Sequence, residues 1–153
     1  MHQLYTFLIG VHIFAAIIGI GPALTFNHIL STATNINELK NAHKIIEKLN
    51  RISSIGFGLL AVTGLIMGIM NPSLFKTIWY IVALSLFIIL GIYSSLTIER
   101  QMRSMLGIIQ SHDGDKESIP QEYKELFKIK SQHDWVQNIL ILIIFILMIF
   151  KPW

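Results

Sequence analysis

A histidine, His12, lies inside the apolar run from Leu4 to Asn27. An ionisable side chain at membrane depth is rare and marks a candidate functional site. Neutral imidazole can be an axial ligand to a haem iron or a ligand to a metal such as copper. It can equally close an interhelical hydrogen bond, and Ser85 and Thr63 are the expected partners. Ala15, Ala16, Gly19 and Ala23 share its helix face. Small residues let helices approach, so His12 is expected to face the protein interior.

Two further groups could share that chemistry. Gly64 and Gly68 stand four residues apart, a spacing that suits a helix–helix contact or a flat wall for a porphyrin. Met67, Met70 and Met148 carry thioethers, which fill core gaps, ligate copper(I) or complete a haem ligand set. A second, inner candidate set for zinc, manganese or iron is His28, Glu99 and His133, with Asn27 and Asp134 nearby. His28 lies about 160° around its helix from His12, so the two belong to different sites. Asp113, Asp115 and Glu117 are spaced too closely for an EF-hand and read as a solvated loop.

The elements that hold these residues follow from composition. Of 153 residues, 53% are apolar and 14% charged, about half the charged share of a soluble domain. Apolar runs cover Leu4 to Asn27, Ile52 to Met70, Thr77 to Ile98 and Val136 to Phe150. About 20 apolar residues cross a bilayer core, and only helices or closed barrels satisfy every backbone group there. The expected fold is all-α: one integral membrane domain over 1–153, an antiparallel four-helix bundle. Its helices are expected at about 3–30, 52–70, 75–98 (extending to about 110) and 135–151. Helices 1 and 4 are expected to be neighbours.

Leu39, Ala42, Ile46 and Leu49 recur at helical spacing between charged residues. They predict an amphipathic helix at about 37–50, lying on the inner leaflet and capped by Asn35 or Asn37. Pro120 suits the start of another helical stretch leading into helix 4, and Ser111 to Asp115 reads as a turn.

Ten of the twelve Lys and Arg residues fall in the two long connections, whereas Lys76 and Lys151 lie on the other side. That asymmetry places both connections in the cytoplasm and both termini outside, in a multi-pass plasma-membrane protein. Tyr5, Trp79, Tyr80 and Trp153 are expected at the outer interface. The first run lacks a basic leader and is too long for a cleavable signal peptide. There is no cysteine, which excludes thiolate metal sites and covalent c-type haem. The basic residues follow topology and give no nucleic-acid signal. No P-loop, nucleophile elbow or zinc-protease motif is present, so chemistry here depends on a bound cofactor.

The segment Leu4-Tyr5-Thr6-Phe7-Leu8-Ile9-Gly10-Val11-His12-Ile13-Phe14-Ala15-Ala16-Ile17-Ile18-Gly19-Ile20-Gly21-Pro22 resembles the start of an uncharacterised family of predicted four-helix integral membrane proteins. That family's length and helix layout match the whole chain. The chain is also distantly similar to the copper-resistance D family and the b-haem protoporphyrinogen IX oxidase family. In the oxidases a first-helix histidine followed by apolar residues and glycine binds haem, and the resemblance implies that role for His12. After Gly21 the chain reads Pro22-Ala23-Leu24-Thr25-Phe26-Asn27, without the basic residue of the oxidase pattern.

The leading expectation is a membrane b-type haem protein in electron transfer or porphyrin redox, with His12, Gly19, Gly64, Met67 and Gly68 at the cofactor. The second is a copper-binding or copper-handling protein using His12, Met67, Met70 and Met148. The third is a non-catalytic membrane subunit or scaffold. Expected partners are the bilayer and a quinone, a porphyrin or another membrane subunit, a second copy included.

Overall fold

The structure, a computed structural model, describes residues 2–111 and 118–151, with the side chains of 3–111 and 118–151. Most of the expected turn after Ser111, the acidic loop through Glu117, Lys116, Trp153 and the His2 side chain lie outside the described residues.

Four helices are long and apolar enough to cross a membrane. They are α1 (His2–Ser31), α2 (Ile36–Met70), α3 (Ile78–Gln110) and α4 (Gln121–Phe150). Pro72–Lys76 forms a 3-10 turn between α2 and α3. No strand occurs among the described residues; Asn35 and Ser118 form one isolated bridge that ties the two long connections together. Exposed Ile, Leu and Phe side chains cover all four helices, as a lipid-facing surface requires.

The amphipathic stretch is not a separate helix on the leaflet. It is the first part of α2, which runs unbroken for 35 residues, about 50 Å at ~1.5 Å per residue. A bilayer core of about 30 Å accommodates the apolar part beyond Ile52. The stretch before it, with Lys40, Lys44, Glu47, Lys48 and Arg51, therefore extends beyond the membrane. Asn35 caps it, its side chain accepting from the Glu38 amide at 2.9 Å. The Glu38 carboxylate in turn accepts from Thr34 N at 2.6 Å, which holds its pKa below the usual range.

Outside the membrane the helices build a water-driven core. Leu39, Ala42 and Ile46 pack with Leu30, Ile36, Met105, Ile109 and Tyr123. Apolar burial there removes surface from water, a gain unavailable between helices in lipid. His43 is buried beside this core, and its Nε2 lies 3.1 Å from Tyr123 Oη. Burial raises the Tyr123 pKa, so the phenol stays protonated and donates to His43. Burial first, and the Lys130 cation second, push His43 down to about 4. The unfolded chain binds this proton near 6.5. His43 therefore stabilises the fold fully above about 6.5, and that contribution is lost as pH falls towards 4. Thermal melting in detergent micelles is expected to drop between pH 7 and pH 5 in the wild type. The drop should be smaller in His43→Gln; equal pH dependence in both would refute the assignment.

The close helix pairs are α1 with α2 and α3 with α4, while α2 meets α3 along Glu99–Gln110. α1 and α4, expected as neighbours, are not a close pair: they meet at one end, where Lys130 Nζ of α4 donates to Asn27 Oδ1 of α1 at 2.8 Å. Lys130 also pairs with Asp134 Oδ2 at 2.5 Å. Midway along α3, Ser94–Ile98 form a π turn.

Candidate functional site between the membrane helices

α1 and α2 cross where two glycines meet. A Cβ on Gly19 would lie 3.0 Å from Phe57 N, and one on Gly56 would lie 2.6 Å from Gly19 Cα. Backbone against backbone fixes the register of the two helices. His12 and Thr63 are each seven residues, about two helical turns, from this crossing. They meet: His12 Nδ1 is 2.7 Å from Thr63 Oγ1.

The hydroxyl of Thr63 also lies 2.7 Å from the Leu59 carbonyl one turn back. It donates its proton to that carbonyl, so its lone pair receives the Nδ1–H of His12. This assigns the tautomer by hydrogen-bond accounting and leaves Nε2 with the free lone pair. A ring nitrogen fixed this way is how proteins orient a ligating histidine.

His12 is 8% exposed and lines a cavity of about 670 Å³ between the α1–α2 pair and the α3–α4 pair. That size suits a small molecule or cofactor. Its walls are mostly apolar, with Ile13 and Ile17 on one side and Phe87, Phe145 and Met148 on the other. Gly64 sits beside the imidazole: a Cβ there would lie 3.4 Å from His12 Cε1. Tyr80, expected at the interface, is buried instead and donates to the Gly64 carbonyl at 3.0 Å.

The expected residues divide as follows. His12, Gly64, Met67 and Met148 line the cavity. Gly19 is at the helix crossing rather than on the cavity wall. Gly68 is buried against Tyr80 and Phe75, where an added Cβ would clash with the tyrosine hydroxyl and come 2.8 Å from Phe75 Cζ. Met70 is half-buried at the end of α2 and does not line the cavity.

The inner set is not assembled. His133 Nδ1 shares a hydrogen bond with Tyr93 Oη at 2.5 Å, Glu99 lies 3.8 Å from Arg103, and His28 is exposed. Among the described residues no three His, Asp or Glu side chains gather where a metal could bind. The reason is local: each has a nearer partner, or water.

Sequence reasoning missed Tyr80 as a wall residue and Lys130 as a buried one. An aromatic near a helix start and a lysine in a basic connection both read as interface residues. The arrangement can present one fixed imidazole nitrogen, and two thioethers, to a molecule held between apolar walls.

No curated protein and no solved structure matches the chain. Residues 6–152 match the model of the family described as predicted integral membrane protein (DUF2269), and the chain belongs to that family.

Proposed function

We propose that this protein binds b-type haem at His12 and acts in electron transfer or porphyrin redox. One observation carries the reading: a buried histidine on an apolar cavity, with Nδ1 held by Thr63 and Nε2 left to ligate. The donor set fits the group. Apolar walls suit a porphyrin face, Gly64 leaves the imidazole unobstructed, and Met67 and Met148 are candidate second ligands. Bound haem supplies one-electron exchange at iron. Thr63 holds the imidazole orientation, and the surrounding Ile and Phe side chains exclude water.

The reading includes an antiparallel bundle in the plasma membrane, with both termini outside and the two long connections cytoplasmic. The ten-to-two distribution of basic residues supports it. The partner is membrane-borne: a porphyrin, a quinone or another subunit. A cysteine placed at Ser73 is expected to react with an impermeant thiol reagent in intact cells, and one at Lys48 to stay protected. The opposite labelling would overturn the orientation.

Protein purified from haem-supplemented cells is expected to show a Soret band. His12→Ala should abolish it while leaving the helical content unchanged. A wild type without the band, or a band that survives in the variant, removes His12 as a haem ligand. Copper is the second reading, favoured by Met67 and Met148 on the same cavity. Copper that co-purifies without a Soret band, and is lost in His12→Ala, would put it first.

A further inference from the structure

A second cavity, of about 590 Å³, lies at the inner end of the same gap between helix pairs. Two side chains on its wall have buried oxygens without a partner among the described residues: Ser53 Oγ and Gln137 Oε1. Ser53 is 2% exposed and Gln137 8%. Buried polar groups are hydrogen-bonded in the great majority of cases, so two orphans on one cavity ask for a ligand that donates to both. Each lies one residue inside the apolar run of its helix, Ser53 after Ile52 and Gln137 after Val136. The two therefore sit at one depth, the inner edge of the hydrocarbon.

The charged groups on the lining balance. Lys40, Lys44 and Arg103 stand against Glu47, Glu99 and Asp134. An anionic or cationic head would leave one sign unmatched, whereas an uncharged head would not. Phe26 and Phe57 supply aromatic faces, which favour a flat ring. Ser94 and Ile98, at the ends of the π turn, complete the wall, and such turns recur at functional sites.

We propose that the inner cavity binds a neutral aromatic diol of the hydroquinone class, its hydroxyls donating to Ser53 Oγ and Gln137 Oε1 and its ring lying against Phe26 and Phe57. Its apolar tail extends into the lipid. Phe57 lines both cavities, so the ring lies one side chain away from the His12 chamber. The proposal deepens the redox reading by giving a membrane-borne partner its place, and it rests on that reading for its use. Binding itself is measured without haem, so either can fail alone.

The test uses the full chain in phosphatidylcholine nanodiscs, titrated calorimetrically with a decyl-substituted benzohydroquinone kept reduced, against empty nanodiscs. Saturable binding with one site per chain is expected. Ser53→Ala and Gln137→Leu should each weaken it about three- to tenfold, the loss of one neutral hydrogen bond. Both variants should melt no lower than the wild type, because each removes an orphaned polar atom. His12→Ala should bind the diol like the wild type. Titration indistinguishable from empty nanodiscs, or affinity unchanged in both cavity variants, overturns the proposal. So does absent diol binding together with stabilisation by phosphatidylglycerol nanodiscs that Arg103→Gln abolishes, which would make the cavity a phospholipid headgroup site.

Discussion

Lys130→Ala is expected to destabilise the protein by about 3–5 kcal/mol, the usual cost of removing one partner from a buried ion pair. The lysine is 1% exposed and the Asp134 side chain 16%. Without Lys130 the carboxylate keeps its burial and loses its cation, and Asn27 loses the donor that joins α1 to α4. The double variant Lys130→Met with Asp134→Leu should recover most of the loss, since apolar residues of similar volume can replace such a pair. Chemical unfolding in detergent micelles measures both. A single variant as stable as wild type would show that the pair is hydrated and contributes little. Removing Lys130 also removes one of the two causes that hold His43 low, so its titration should move towards the ordinary range.

Gly56→Leu is the second large effect. Even a single Cβ at Gly56 would come within 2.6 Å of Gly19 Cα and 2.9 Å of the Ile18 carbonyl carbon. Backbone cannot rotate away as a side chain can, so α1 and α2 must separate. We expect a loss of about 3 kcal/mol, the upper end of ordinary overpacking. Gly58→Leu is the control, because no atom lies within 4 Å of a Cβ there. It should melt like the wild type. Separation at the crossing also lengthens the His12–Thr63 hydrogen bond two turns away, so Gly56→Leu should lose the proposed haem's Soret band in parallel with stability. Equal melting of the two variants would show that the crossing is not fixed by its glycines.

The membrane spans were legible because about 20 apolar residues have few other destinations. The boundaries were less so, and α2 shows why. The change from charged to apolar at Arg51-Ile52 reads as an end, yet neither glycine nor proline interrupts Ile36 to Ile55, and a helix continues through a change of solvent. The same holds where α4 passes from Gln121 into its apolar half. At the site, His12 and its Thr63 partner could be named because one buried polar group on a helix calls for another at the same depth. Lys130 could not. Its partners Asn27 and Asp134 lie 103 and 4 residues away, and only the packing of α4 against the end of α1 turns a basic residue of a connection inward. The inner histidines failed for the complementary reason: polar residues at helix ends had several partners to choose from.

The π turn at Ser94–Ile98 carries a consequence for insertions and deletions. An i→i+5 turn holds one more residue than the α-helical turns on either side. Deleting one residue there would heal the helix locally and improve its hydrogen bonding. Such a deletion would leave both flanks facing as they do, whereas winding the same residues as plain α-helix with none deleted would rotate everything beyond them by about 100°. Met105 and Ile109, both fully buried against the α2 extension, would then swing towards solvent, and Arg103 would lose its place on the inner cavity. The locally irregular segment thus works as a gear offset: it lets one helix that carries an extra residue serve its α4 neighbour and, further along, its α2 neighbour.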